Sequence, residues 1–135
     1  MACPSDVAHF ARDDRCVSET GIERTVIDTV TLDGAPSFAS VEVRRITIPS
    51  GVQLGAHWHN GPVFGVIEAG SAIFQVGAGE ESILRPGDTF YEPANETITR
   101  FDATDEGVTF LAWFPMPTGI AAELVMGSAS GSTAR

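Results

Sequence analysis

From Ile22 onward the chain alternates short β-prone runs with turn residues. The runs cover about Arg24–Leu32, Ala39–Ile48, Val52–His57, Val63–Glu68, Ala72–Val76, Ser82–Leu84, Thr89–Glu92, Thr97–Phe101 and Val108–Phe114. Asp33-Gly34, Pro49-Ser50-Gly51, Asn60-Gly61-Pro62, Gly77-Ala78-Gly79, Pro86-Gly87-Asp88, Pro93-Ala94-Asn95 and Asp105-Glu106-Gly107 separate them. Strands recurring every 8–12 residues or so, each closed by turn chemistry, predict an all-β sandwich or small barrel. The first 21 residues are polar and mixed and read as an arm. Residues 22–118 read as the β domain, and residues 119–135 as a short helix near Ile120–Val125 followed by a Gly/Ser/Ala-rich, frayed tail. Neither a repeat nor a dividing linker interrupts the pattern.

Composition narrows the chemistry. A chain of 135 residues makes about one domain with one core. All eight basic residues are Arg, so Schiff-base chemistry, a lysine nucleophile and a Walker-type phosphate loop are excluded. A net charge of −10 repels phosphate backbones, making nucleic acid and anionic membranes poor partners. The apolar stretch around Val108–Met116 is far short of the ~20 residues of a spanning helix. The opening residues lack the apolar centre of a secretion signal, so the expected location is cytoplasmic. Cys3 and Cys16 have no metal or redox spacing and read as free thiols.

Three histidines remain, and two of them, His57 and His59, are one residue apart. On a strand, alternate residues share a face, so both imidazoles project together with Trp58 behind them. Side by side they can take adjacent positions around one transition metal. As two polar residues on a solvated face they would do nothing of the kind.

The surrounding residues resemble the motifs of the cupin superfamily. The first motif, Gly-x5-His-x-His followed by Glu and then Gly, is matched by Gly51, His57, His59 and Gly70. The stretch from His57 to Ser71, HWHNGPVFGVIEAGS, is similar to the version in which Gly-Pro follows the histidines. The second motif, Gly-x5-Pro-x-Gly-x2-His-x3-Asn, is matched at Gly87 and Pro93. The resemblance implies a double-stranded β-helix, or jelly-roll, barrel with a metal site inside and a homodimer built on edge strands. Four positions depart from the pattern: Val63 stands for the Glu, Asn95 for the Gly, Ile98 for the third His and Asp102 for the Asn. Asn95 is a mild change, since Asn accepts left-handed backbone. Loss of the Glu alone is familiar in cupins that bind iron through three histidines, such as those resembling diketone and hydroxyacetophenone dioxygenases. Loss of the His as well leaves two ligands, so another residue substitutes or the site is metal-free.

Glu92 is the best substitute, at the end of a strand near the family's metal pocket. Pointing inward, it completes a His57–His59–Glu92 set suited to Fe(II), or to Zn, Mn or Ni. Alternatively, it acts as an acid/base partner of His59, or pairs at the rim with an Arg such as Arg100. His9 would join only by folding of the arm over the barrel mouth. Val63, Ile67, Ile98 and aromatics among Phe64, Phe74, Phe90, Tyr91, Trp113 and Phe114 suit a small hydrophobic or aromatic ligand. Arg45, Arg85 and Arg100 are candidate anchors for a substrate carboxylate. The leading expectation is a metal-dependent, dioxygenase-like oxidoreductase acting on such a molecule. The rivals are a metal-free isomerase, cyclase or lyase using Glu92 and His59, and a non-catalytic small-molecule binder.

Overall fold

The computed structural model describes residues 21–129 and the backbone of Cys16–Val17. His9, Cys3, the side chain of Cys16 and the tail from residue 130 lie outside the described residues. The chain divides after Leu32. In the first unit, β1 (Cys16–Val17) pairs antiparallel with β2 (Glu23–Arg24). The run expected over Arg24–Leu32 is otherwise without regular pairing.

The second unit, from Asp33, holds β3 (Ser40–Ile48), β4 (His57–His59), β5 (Val63–Val76), β6 (Ser82–Leu84), β7 (Thr89–Glu92), β8 (Ile98–Met116) and β9 (Leu124–Met126). All pair antiparallel in one continuous network. The all-β jelly-roll expected from the sequence is present. Its two long members, β5 and β8, each join two runs read as separate, those of β8 across the turn signal Asp105-Glu106-Gly107. Between them the pairing shifts register at Ile67/Ala69, Gly70/Ala72 and Gln75/Val76. Bulges of this kind bend a ladder without ending it, which lets one strand serve two sheets.

Glycine makes the tightest bend. Gly70 has φ +71°, and a Cβ there would stand 2.0 Å from the Gly107 carbonyl oxygen. A second glycine seats an aromatic ring: Gly65 lies across from Phe90, whose ring would be 2.1 Å from an added Cβ. Phe90 packs in turn on Phe101 at 5.0 Å and Phe110 at 5.6 Å between centroids, in edge-on arrangements that aromatic quadrupoles favour. These rings form the centre of the core, with Ile48, Val63, Ile67, Leu84 and Ile98 around them.

The helix expected over Ile120–Val125 is not formed. Residues 120–123 are irregular and Leu124–Met126 form β9, which covers the free edge of β4. Two hydrogen bonds from Asn60 bracket the approach: its Nδ2 donates to the Ala121 carbonyl and its Oδ1 accepts the Glu123 N–H, both at 2.9 Å. An unpaired β4 edge offers more to a short apolar segment than a single isolated helical turn can. No helix among the described residues is long and apolar enough to cross a membrane.

Gly70→Ala is expected to cost roughly 3 kcal/mol or more, since left-handed backbone and a clash with immovable backbone add together. Urea unfolding measures it. At Asn95, with φ +61°, Asn95→Gly is expected to lie within about 0.5 kcal/mol of the parent. Asn95→Ala is expected to lose about 1 kcal/mol. Equal effects of the two changes would show that backbone conformation does not set the residue here.

Candidate functional site

Strand alternation aims the site residues. β4 buries His57 and His59 and leaves Trp58 half-buried on the other side. β7 alternates likewise: Phe90 and Glu92 are buried, while Tyr91 faces away and stacks on Phe64 at 5.2 Å. Burial raises the Tyr91 hydroxyl above its usual range, with the charges of Asp33 and Glu96 adding to the effect.

Register explains how a carboxylate reaches the histidines although Val63 occupies the usual position. Val63 pairs directly with Glu92 across β5 and β7. Side chains so paired have Cβ atoms about 5 Å apart on one face. The carboxylate has therefore moved one strand sideways. The absent third histidine has no such replacement. Ile98 pairs with His57 and is wholly buried, so that flank of the site is hydrocarbon.

The three groups converge. His59 Nε2 lies 2.8 Å from Glu92 Oε2, both side chains being buried. His57 Nδ1–H donates to the Gly55 carbonyl at 2.9 Å, which leaves its Nε2 lone pair for a ligand. The two imidazoles meet edge to face at 5.2 Å, and His59 meets Phe114 at 5.9 Å. One ligand atom from each of His57, His59 and Glu92 lies within 4.8 Å of the others. His59 Nδ1 is buried without a hydrogen-bond partner. A buried polar atom left this way costs about 1–3 kcal/mol, a penalty that functional sites carry more often than inert cores do.

The donor set fits a divalent transition metal. Two imidazoles and a carboxylate are the usual ligand types, and atoms bound cis at ~2.1 Å are about 3 Å apart, near the His59–Glu92 separation. The Gly55 carbonyl is the kind of outer partner that orients a ligating imidazole. Without a metal, the same His59–Glu92 contact can hold and transfer a proton.

These groups form one wall of a cavity of about 150 Å³. The rest is mostly apolar, with Ile46, Ile48, Leu54, Val63, Phe101 and Phe110 among the lining residues. Of the aromatics expected to face inward, Phe90 and Phe114 do. Phe74 packs behind Phe90 and Phe101, while Ile67 and Ile98 are buried in the core without lining the cavity.

The arginines expected to anchor a carboxylate are elsewhere. Arg45 bonds Glu68 on the outer face of β3. Arg100 is held by Asp102 at 2.7 Å and Glu81 at 3.0 Å, which keeps its guanidinium firmly protonated and separates it from Glu92. Arg85 is exposed beyond β6. The cavity instead receives Arg44, whose guanidinium lies 4.5 Å over the Phe114 ring. Alternation along β3 is the signal for it, since Arg44 shares a face with Ile46 and Ile48. Leu124 also lines the cavity, from the segment expected to be helical.

Comparison with known proteins agrees with this architecture. The cupin domain family matches residues 44–114, more than half of the chain. Comparison with curated proteins gives no match. Among solved structures, the DMSP lyase DddQ from Ruegeria pomeroyi is 21% identical with a TM-score of 0.55, over 62% of this chain and 42% of the lyase. A cupin-like protein from Thermotoga maritima is 22% identical with a TM-score of 0.56, over 70% of this chain and 71% of that one. An oxalate oxidase in complex with glycolate is 16% identical with a TM-score of 0.53, over 64% of this chain and 45% of the oxidase. The chain thus spans less than half of the lyase and of the oxidase, and these likenesses establish a shared fold. By its matched region and its barrel, the protein belongs to the cupin family.

Proposed function

We propose that this protein is a metal-dependent enzyme acting on a small, largely apolar or aromatic molecule, with the metal on His57, His59 and Glu92. The observation that carries the reading is the convergence of those three buried side chains on an apolar cavity. Fe(II) is the first choice of metal, with Zn, Mn or Ni able to use the same donors. When bound, the metal supplies Lewis-acid activation, and with iron the capacity for a dioxygenase-like oxidation of an enolisable ketone or phenol.

The chain's own residues have distinct duties. The Gly55 carbonyl holds the His57 ring with Nε2 available. Phe114 and the His57 ring confine His59 from two sides. The Phe90, Phe101 and Phe110 rings keep water from the inner wall, which strengthens every electrostatic interaction there. Size limits the substrate. A cavity of about 150 Å³ encloses about one benzene ring, well below the 300 Å³ or more of drug-sized sites.

Protein purified without chelator is expected to carry close to one metal per chain by elemental analysis. His57→Ala should weaken metal binding by more than the roughly 10- to 100-fold that loss of an outer partner costs. Added metal should also stabilise the parent chain by about 2.7 kcal/mol at a hundred times its dissociation constant, and Glu92→Gln should reduce that gain. Metal-free protein with no thermal shift in any of the four ions would sink the reading.

The 2.8 Å His59–Glu92 contact favours one alternative, a metal-free isomerase, cyclase or lyase in which this pair moves a proton. Activity that resists chelators and disappears on Glu92→Gln would select it.

A further inference from the structure

Among the described residues, Arg44 is the one arginine lining the cavity. It arrives there by strand parity: Arg44, Ile46 and Ile48 point inward from β3, while Arg45 points outward to Glu68. Its side chain is 38% exposed, which places it at the boundary between the apolar interior and solvent. Two contacts fix the guanidinium. One face lies 4.5 Å over the Phe114 ring, and Nε donates to Glu42 Oε1 at 2.5 Å. The Arg44 hydrogen bond holds the Glu42 carboxyl below the usual carboxylate range. Phe114 also touches His59, so one ring separates the guanidinium from the metal-capable cluster.

A stacked, anchored guanidinium has lost much of its rotamer freedom before any ligand arrives, so less is lost on forming further bonds. Its planar fork matches a carboxylate better than any other small group. An uncharged ligand would leave the fork to water and draw no advantage from it.

We infer that Arg44 determines specificity for a carboxylate on the substrate: the ligand places an apolar body against the aromatic wall and a carboxylate on Arg44 at the cavity mouth. This names the substrate class for the proposed function and rests on it only in taking the cavity as the substrate site. Glu42 takes Nε, so the terminal nitrogens of the fork are the edge that a carboxylate would meet.

Benzoate and its neutral isostere benzamide are the probes, titrated calorimetrically into the full chain as purified. The parent is expected to prefer benzoate. Arg44→Gln should weaken benzoate by about 10- to 100-fold, the scale of a charge-assisted bidentate pair. Benzamide should change by less than about 3-fold, since it makes no such pair. Arg44→Lys should recover part of the loss, as a point charge replaces the fork. Melting temperatures check that the half-exposed variants remain folded.

Equal weakening of both probes would reduce Arg44 to a packing role over Phe114 and overturn the inference. So would failure of the parent to prefer benzoate. Repeating the titrations after chelation separates the two proposals. A benzoate preference that survives Arg44→Gln but vanishes with the metal would uphold the metal site and overturn the role of Arg44. An Arg44-dependent preference in protein that never holds metal would uphold this inference and overturn the metal site.

Discussion

The arrangement of the site depends on the antiparallel pairing of β5 with β7. Pairing sets Val63 opposite Glu92 and Gly65 opposite Phe90, and both consequences reach the cavity. One brings a carboxylate within 2.8 Å of His59. The other seats an aromatic ring over a glycine, where it becomes both core and cavity wall. A slip of one residue would send Glu92 and Phe90 outward and bring Tyr91 in, because side-chain direction has a period of two. The register is held by hydrophobic burial on one face. The same burial that stabilises the barrel therefore aligns the chemistry.

Much of this arrangement is visible in the linear chain. The turn residues separate most of the strands, parity places His57 and His59 together, and Glu92 at a strand end is the best substitute ligand. Other features stay hidden for definable reasons. Gly70 and Gly107 look like ends of strands, because a bulge and a turn draw on the same residues. Ile120–Val125 look helical, since a short apolar run has no period of its own and the pairing partner of its last residues is distant in sequence. Arg44 and Arg45 differ only in parity, so adjacent arginines have opposite fates once β3 has a buried face. The sideways transfer of the carboxylate from β5 to β7 is invisible to a motif read along one strand.

The electrostatics of the cavity are uneven by construction. The side formed by Ile46, Ile48, Leu54 and Val63 is hydrocarbon, while the polar groups gather on β4 and β7. Arg44 and its counter-ion Glu42 stand at the boundary with solvent. Water screens charges at that boundary and screens them far less within. A molecule entering such a cavity meets a charge first, an apolar wall second and the histidines last. Any ligand that entered this way would be oriented before it reached them.

The short β4 strand has a consequence for how the site comes into being. It pairs with β8 at Ile98 alone, and along its other edge with β9 at Met126, Val125 and Leu124. The Gly127 N–H bonds the Ala56 carbonyl to close the pairing. Like β3 against β8, the second edge of the histidine strand waits for a distant segment, almost seventy positions later from His57 to Met126. Closing a loop that long has an entropic cost that local contacts do not offset. β3, β5 and β8 all precede β9, so the second edge of β4 is the last of these pairings that synthesis makes available. The geometry of the two histidines is thus completed by β9, a strand far from them in the chain, so a change at Leu124–Met126 would reach the candidate site through the edge of β4.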